Sequence, residues 1–137
     1  MATPIYEIYN LFLNQIDDNI LACLADEVVE DMLYTYLLGS ITEFNTCIKE
    51  IKIEGDTINC DLDLDEKFIL VRGMIIYWLN PKILSEKTIR NRMTSRDYSQ
   101  YSPANLLDKL LNLKESTQRD QKRAKIKYSY KHLKVNG

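Results

Sequence analysis

The sequence predicts a mainly α-helical fold: a small helical bundle around a central apolar helix, with a short β-hairpin and an extended C-terminal arm. Over long segments, apolar residues recur at the spacing of amphipathic helices. The chain has only 4 Gly and 3 Pro in 137 residues, which is few for a β-rich or loop-rich protein. One short segment, 47–62, instead alternates as strands do. This length is typical of one domain whose core needs no disulfide or metal.

Two helices are predicted in the N-terminal third. Thr3 is the expected N-cap of the first, with Pro4 at the favoured first helical position. Apolar residues then recur at helical spacing as far as residue 16, and the polar segment 17–19 interrupts them. The second helix is predicted from Ile20 to Leu38. Gly39 is a candidate to end it, and continuation beyond a kink is the alternative.

Residues 47–64 predict a β-hairpin. Ile51 and Ile53 alternate with charged residues, residues 54–56 resemble a turn, and Ile58 and Cys60 alternate after it. An isolated hairpin of this size is only marginally stable. We therefore expect it to pack on the helices or to pair with another chain.

The central helix is predicted over residues 66–79, with Asp63 or Asp65 as its cap and Pro81 as its end. It is apolar on nearly every side, which is typical of a buried helix. Gly73 is expected to permit close approach of another helix. A short helix near 85–93 and then a loop should follow. The predicted core draws on this helix and on the last one: Phe68, Leu70, Met74, Ile75, Trp78, Leu106 and Leu110.

The last helix is predicted from a cap at Ser102, with Pro103 in its first turn, to about residue 131. Its leucine stripe stops at Leu113, and residues 114–134 then hold eight basic and two acidic residues. The sequence therefore predicts a core domain, 1–113, and a basic arm, 114–137, that leaves the core or docks on something outside it. Because the terminal segment KIKYSYKHLKV alternates, an extended tail is the alternative to a helix there.

The net charge of −2 conceals two oppositely charged halves. Residues 1–66 carry −13 and residues 67–137 carry +11. Such halves can neutralise each other within one molecule, or between copies arranged head to tail, which generates rings or filaments. A third possibility is a basic half that faces nucleic acid.

No set of residues predicts catalysis, a cofactor or a metal site. The single histidine, His132, lies near the terminus, and no catalytic triad can be built from it. Asp61, Asp63 and Asp65 resemble the start of a calcium loop, but that loop needs glycine where Glu66 stands. The chain has no glycine-rich phosphate loop and no Cys/His cluster. We therefore predict that the protein is not an enzyme.

The sequence also predicts no membrane association and no disulfides. The N-terminus lacks the pattern of a signal peptide, and the most apolar run, 68–79, is too short to span a bilayer. The three cysteines, Cys23, Cys47 and Cys60, form no CxxC pair and are expected to be reduced thiols.

The order of motifs resembles a known family. Two acidic helices come first, followed by a hairpin-like stretch and the segment DLDEKFILVRGMIIYWLNPKI. After it come the segment TSRDYSQYSPANLLDKLLNLKES and a charged helix. In this order, over about residues 5–120, the chain resembles the head–tail connector (adaptor, or neck) proteins of long-tailed bacteriophages. The strongest matches are Gly73-Met74, Trp78-Leu79, Pro81, Asp97-Tyr98, Tyr101-Ser102 and Ala104-Asn105.

The resemblance implies a structural virion protein with no catalytic role. Copies of such a protein form a ring, usually a dodecamer, between the capsid portal and the tail, and the ring extends the DNA channel. The implied partners are other copies of the chain, the portal protein and a tail-side neck or tail-completion protein, with packaged DNA passing through. The implied location is the virion neck, assembled in the host bacterial cytoplasm.

In that family a C-terminal segment often reaches the portal, and the C-terminal arm is the candidate for this contact. Its candidate docking residues are Lys122, Arg123, Lys125, Ile126, Tyr128, Tyr130, His132 and Leu133. The acidic half could instead line the channel. Two other functions stay open: a small nucleic-acid-binding regulator that uses the basic C-terminal helix, and an accessory protein that binds a host protein.

Overall fold

The computed structural model describes residues 2–17, 30–45, 47–97 and 106–136, with side chains of the last segment as far as His132. In chain order the elements are β1 (Thr3–Pro4), α1 (Ile5–Asp17), α2 (Glu30–Glu43), β2 (Ile53–Glu54), β3 (Thr57–Ile58), α3 (Leu64–Arg92) and α4 (Leu106–Asn136). Helices α1, α2 and α4 all pack against α3. The predicted fold class, a mainly α bundle around a central helix with a short hairpin, is confirmed.

Helix α3 begins with a capping box. The Asp63 side chain accepts a hydrogen bond from the Glu66 N–H, and the Glu66 side chain accepts one from the Asp63 N–H, both at 2.9 Å. Each bond satisfies a backbone donor that the first helical turn leaves without a partner. Of the two predicted caps, Asp63 is therefore the one used.

The central position of α3 follows from its apolar surface. Most of the predicted core residues are buried: Leu70, Met74, Ile75, Trp78 and Leu110. Leu106 packs against this core while partly exposed. From α1, Phe12 meets the Trp78 ring edge-on at a centroid distance of 6.1 Å. Phe68 differs from the prediction, since it is half-buried in a groove between α3 and α4.

Helices α2 and α3 approach closely at two glycines. A Cβ atom on Gly73 would lie only 2.1 Å from the Ser40 hydroxyl oxygen, and one on Gly39 would lie 2.6 Å from the Tyr77 ring. The Ser40 hydroxyl donates a 2.7 Å hydrogen bond to the Leu70 carbonyl across this contact. The expected role of Gly73 is confirmed. Gly39 does not end α2, which continues to Glu43. The missing side chain at Gly39 instead makes room for the Tyr77 ring.

Pro81 does not end the central helix, so that prediction is wrong. Helix α3 runs through Pro81 to Arg92 and absorbs the predicted short helix near 85–93. Proline removes one helical hydrogen bond and favours a kink. Its cost is offset here because Leu79 and Ile83, on either side, are both buried, whereas Pro81 itself is exposed.

The predicted hairpin is confirmed, and an unpredicted strand joins it. Strand β3 pairs antiparallel with both β2 and β1. Gly55 makes the turn with a φ of +62°, a conformation that costs glycine little. The predicted N-cap role of Thr3 is wrong, since its hydroxyl donates to the Cys60 carbonyl at 2.8 Å and accepts from the Leu62 N–H at 2.9 Å. Thr3 therefore fastens the chain's N-terminus to the hairpin.

The C-terminal segment is helical to Asn136, which confirms the predicted last helix and contradicts the alternative of an extended tail. The second half of α4 also stays on this chain's own core, since Thr117, Gln121 and Tyr128 are buried. These residues are spaced four or seven apart, which places them on one face of a helix. The alternation of tyrosines and lysines near the terminus has the period of a strand, so the sequence did not indicate this buried face of a helix.

Some predictions concern residues that the structure does not describe. They include the start of the second helix at Ile20, the thiol of Cys23, and the Ser102 cap with Pro103. The side chain of the candidate docking residue Leu133 also lies outside the described part.

Candidate functional site

Helix α4 has two dissimilar faces after Leu113. Its inner face packs on α3 and is pinned by polar contacts as well as by burial. Gln121 donates a 2.8 Å hydrogen bond to the Ile69 carbonyl, and Lys125 donates one of 3.0 Å to the Glu43 carbonyl. The helix is therefore held in one rotation about its axis, which fixes the side chains that face outward.

A polar cluster around Glu66, a fully buried residue, also holds α4 in place. The Tyr128 hydroxyl donates to one Glu66 oxygen at 2.7 Å, and the Lys49 ammonium donates to the other, also at 2.7 Å. The Tyr128 oxygen in turn accepts a hydrogen bond of 3.2 Å from the Ile48 N–H. The cluster joins the loop before β2, the first turn of α3 and the end of α4.

Charge pairing decides the protonation of the cluster. Burial by itself raises the pKa of Glu66, but hydrogen bonds from Lys49 and Tyr128 outweigh it, so the pKa is lowered. Burial lowers and the Glu66 contact raises the pKa of Lys49, with a net increase. Burial and the hydrogen bond to Glu66 both raise the pKa of Tyr128. The cluster is therefore an ion pair with a neutral tyrosine near neutral pH.

Two rings and one thiol enclose Tyr128. Its ring centroid lies 5.1 Å from that of Phe44, with the planes 65° apart, and 4.3 Å from that of His132. The Cys47 sulfur lies 3.6 Å from the Tyr128 oxygen, and burial raises the pKa of this thiol. Cys47 and Cys60 are both free. The Cys47 thiol also donates to the Glu66 carboxylate at 3.8 Å, so it is part of the polar cluster, and a neutral thiol is a weak nucleophile.

The Glu66 cluster is built for stability, not for proton transfer. The Glu66 carboxylate accepts hydrogen bonds from Lys49, from Tyr128 and from the Asp63 N–H, and no part of it reaches the surface. A general base needs an oxygen within reach of a substrate proton. This cluster was not predicted from the sequence, although the capping-box spacing of Asp63 and Glu66 is a signal that locates its carboxylate at the start of a buried helix.

The outer face of α4 is basic and carries two large apolar side chains. Six exposed residues at helical spacing form this surface, which we call the outer basic face: Arg119, Lys122, Arg123, Ile126, Lys127 and Tyr130. Ile126 is 48% exposed and Tyr130 is 67% exposed. Large apolar side chains that lie together among charged ones are typical of a surface that another molecule covers.

A groove between α3 and α4 borders this face. It has a volume of about 660 Å³, within the range of pockets that hold ligands. Phe68 and Ile126 line it together with Arg72, which lies 5.8 Å from the Phe68 ring centre. Arg123, Lys127 and Lys131 contribute three further positive charges, and Asp65 and Asp120 contribute two negative ones. The groove extends the outer basic face toward α3.

The candidate docking residues are divided between the two faces of α4. Lys122, Arg123, Ile126 and Tyr130 lie outside and are accessible to a partner. Tyr128 is 3% exposed, so it is used within the chain, as is the Lys125 ammonium. His132 is half-buried against Tyr128. Arg119 and Lys127 were missed as docking candidates, although their spacing of four from Arg123 places all three on one face.

The part of the chain that the structure describes contains no group of three or more His, Cys, Asp or Glu side chains arranged to hold a metal ion. Among the helices described, none is long and apolar enough to cross a membrane.

In comparisons with known proteins, no protein-family model, curated protein or solved structure matches this chain.

Proposed function

We propose that this chain is a head–tail connector of a long-tailed bacteriophage, a non-catalytic virion protein that forms a ring between the capsid portal and the tail. The observation that carries the proposal is the outer basic face, in which exposed Ile126 and Tyr130 lie among positive charges on a firmly anchored helix. The order of sequence motifs supports it independently.

A ring protein needs two dissimilar surfaces, because each copy contacts its neighbours head to tail. The outer basic face belongs to the half of the chain that carries +11, while the other half carries −13. Opposite charges across such interfaces speed association and suppress wrong pairings. The fold thus provides the kind of asymmetry that a closed ring uses.

The anchoring of α4 also suits this function. The Glu66 cluster holds Tyr128 and thereby fixes the outer basic face on a rigid helix. Pre-ordered surfaces lose less entropy when they bind. In the proposed assembly this face contacts the portal or a neighbouring copy, a tail-side protein covers the opposite end of the ring, and packaged DNA passes through the channel.

The direct test is the composition of virions. We expect this chain to be present in purified phage particles, in many copies, and to co-purify with portal and tail-completion proteins from infected cells. Immunogold labelling should place it at the neck. If purified particles that contain portal and tail proteins lack this chain, the connector proposal is wrong.

A nucleic-acid-binding regulator is the second candidate, because Arg119, Lys122, Arg123 and Lys127 form a continuous positive face suited to phosphates. Salt dependence separates the two functions. Phosphate binding predicts that the logarithm of the affinity for duplex DNA falls linearly with the logarithm of the salt concentration, with a slope of about −0.9 for each neutralised phosphate. A connector predicts weak DNA binding by the isolated chain.

A further inference from the structure

Helix α2 exposes an apolar surface that resembles the outer basic face but carries the opposite charge. The exposed residues Glu30, Asp31, Tyr34 and Leu38 follow one another at helical spacing, and we call them the outer acidic face. Tyr34 is 43% exposed and Leu38 is 42% exposed. Helix α2 contains three acidic residues and no basic one. Both its charge and its apolar side chains are therefore open to a partner.

The two outer faces match in chemistry, and the outer acidic face is short enough to lie along the outer basic face. Each has two large apolar side chains within about two turns. The charges beside them are acidic on the outer acidic face and mostly basic on the outer basic face, which also has the exposed Asp120 nearby. Residues 30–38 span roughly 12 Å and residues 119–130 roughly 17 Å, at 1.5 Å per residue. The segment 119–131 holds six basic residues and one acidic residue. A helix that bears the outer acidic face can thus lie along α4 with charges and apolar groups both matched.

The two faces are not paired within one copy. Each of the four apolar side chains remains 42–67% exposed in the folded chain. The inner face of each helix already packs on α3. Helix α2 does so through Leu33 and Leu37, and helix α4 through Gln121 and Tyr128. Neither helix can therefore turn its outer face inward without giving up buried contacts.

We infer that the outer acidic face of one copy docks on the outer basic face of the next copy of this chain. The contact is heterologous, so each copy uses both faces, and repetition of the contact produces a ring or a filament. This inference deepens the proposed function, because it names the surfaces by which a connector ring closes. It is testable on the purified chain without any other virion protein.

Charge reversal on each face gives a decisive test. The basic-face variant is R119E/R123E/K127E, and the acidic-face variant is E30K/D31K. Sedimentation velocity of the full-length chain, over concentrations up to the millimolar range at low salt, measures self-association. We expect the unmodified chain to associate, and each variant alone to require at least about tenfold higher concentration, because like charges then face each other.

Mixing the two variants supplies the sharpest outcome. In the mixture the reversed basic face of one variant meets the reversed acidic face of the other, and the two unmodified faces also match. An equimolar mixture should therefore associate as the unmodified chain does. Reversal at Lys87, Arg90 and Arg92, an equal number of exposed charges of the same types on α3, is the matched control and should leave association unchanged.

Apolar truncation and folding controls complete the experiment. Leu38→Ser and Ile126→Ser should each weaken association without a change of charge. Circular dichroism melting identifies any variant that has unfolded, and the remaining variants then carry the test. A chain that stays monomeric at every concentration, association that neither reversal weakens, or a mixture of folded variants that fails to associate would each overturn the inference.

The inference and the proposed function can fail separately. If the chain associates through these faces but is absent from virions, the interface stands and the connector proposal falls. If the chain is present at the virion neck, and the basic-face variant still assembles there normally, the connector proposal stands and this interface falls.

Discussion

The hydroxyl of Tyr128 donates a 2.7 Å hydrogen bond to the buried carboxylate of Glu66, 62 residues earlier in the chain. This bond fastens the end of α4 to the first turn of α3. It turns a basic segment that has few apolar residues into part of the core, and it fixes which residues of α4 point outward.

Removal of this hydroxyl should destabilise the protein. In Tyr128→Phe, Glu66 loses a charged hydrogen bond and the Ile48 N–H loses its acceptor. We expect the free energy of unfolding to fall by roughly 1.5–3 kcal/mol, as measured by urea denaturation. Tyr130→Phe is the matched control, because Tyr130 is 67% exposed, and it should change stability little. Equal effects of the two variants would contradict the anchoring role of Tyr128.

The same cluster should make stability depend on acid. The pKa of Glu66 is lowered in the folded state, so its ionised form contributes stability above the ordinary value near 4.5, and this contribution is lost as the pH falls through the folded pKa. We expect Glu66→Gln to be less stable than the unmodified chain at pH 7 in urea titrations. The difference should narrow as the pH is lowered below about 4.5. A difference that stays constant over this range would show that ionisation of Glu66 is not what the mutation removes.

A methyl group at Gly73 should force α2 and α3 apart. The added Cβ atom of Gly73→Ala would meet the Ser40 hydroxyl, which is itself hydrogen-bonded to the Leu70 carbonyl. Overpacking of this kind costs about 1–3 kcal/mol, and thermal unfolding should show the loss. Asn80→Ala, at an exposed position of the same helix, is the control. In a double-mutant cycle, Ser40→Gly should recover part of the loss, and strict additivity would argue against the close contact.

Thr3 should contribute to stability through the hairpin. Thr3→Val keeps the shape of the side chain but leaves the Cys60 carbonyl and the Leu62 N–H without their partner. A loss of about 1–3 kcal/mol is expected in chemical denaturation. Thr35→Val is the comparison, because the Thr35 hydroxyl makes one exposed bond to the Asp31 carbonyl. Hydrogen exchange should also become faster at the Leu62 amide. Unchanged protection of this amide would contradict a stabilising role of its hydrogen bond to the Thr3 hydroxyl.

The central helix could be predicted because its signals are local. A helix that is apolar on nearly every side must be buried, and the missing side chain at Gly73 predicts the close approach of another helix. The acidic residues before the helix predict a cap, but the structure decides for Asp63 over Asp65. The Gly55 turn could also be predicted, since adjacent residues determine it. The continuation of the helix through Pro81 could not be predicted, because the cost of proline is offset by burial of Leu79 and Ile83 against residues distant in sequence.

The candidate docking residues also combine features that were predictable from local sequence with features that depend on distant contacts. That α4 is basic and carries tyrosines was evident from the sequence, but which of its side chains are exposed was not. The alternation of Ile126, Tyr128 and Tyr130 is compatible with a strand, whereas the structure places Tyr128 inside and the other two outside. The contact of Tyr128 with Glu66 at the start of α3, together with that of Gln121 with the Ile69 carbonyl, selects the helical arrangement.

Residue types and their short-range spacing were enough to predict the helical class, the existence of the central helix, the hairpin turn and the opposite charges of the two halves. They left the cap of that helix open between Asp63 and Asp65, and they placed its end too early, at Pro81. Contacts within the folded chain place Thr3 in the hairpin, keep Pro81 inside a helix and return α4 to the core through Tyr128. These contacts join residues far apart in the chain, and their energies exceed the local preferences that a sequence pattern expresses.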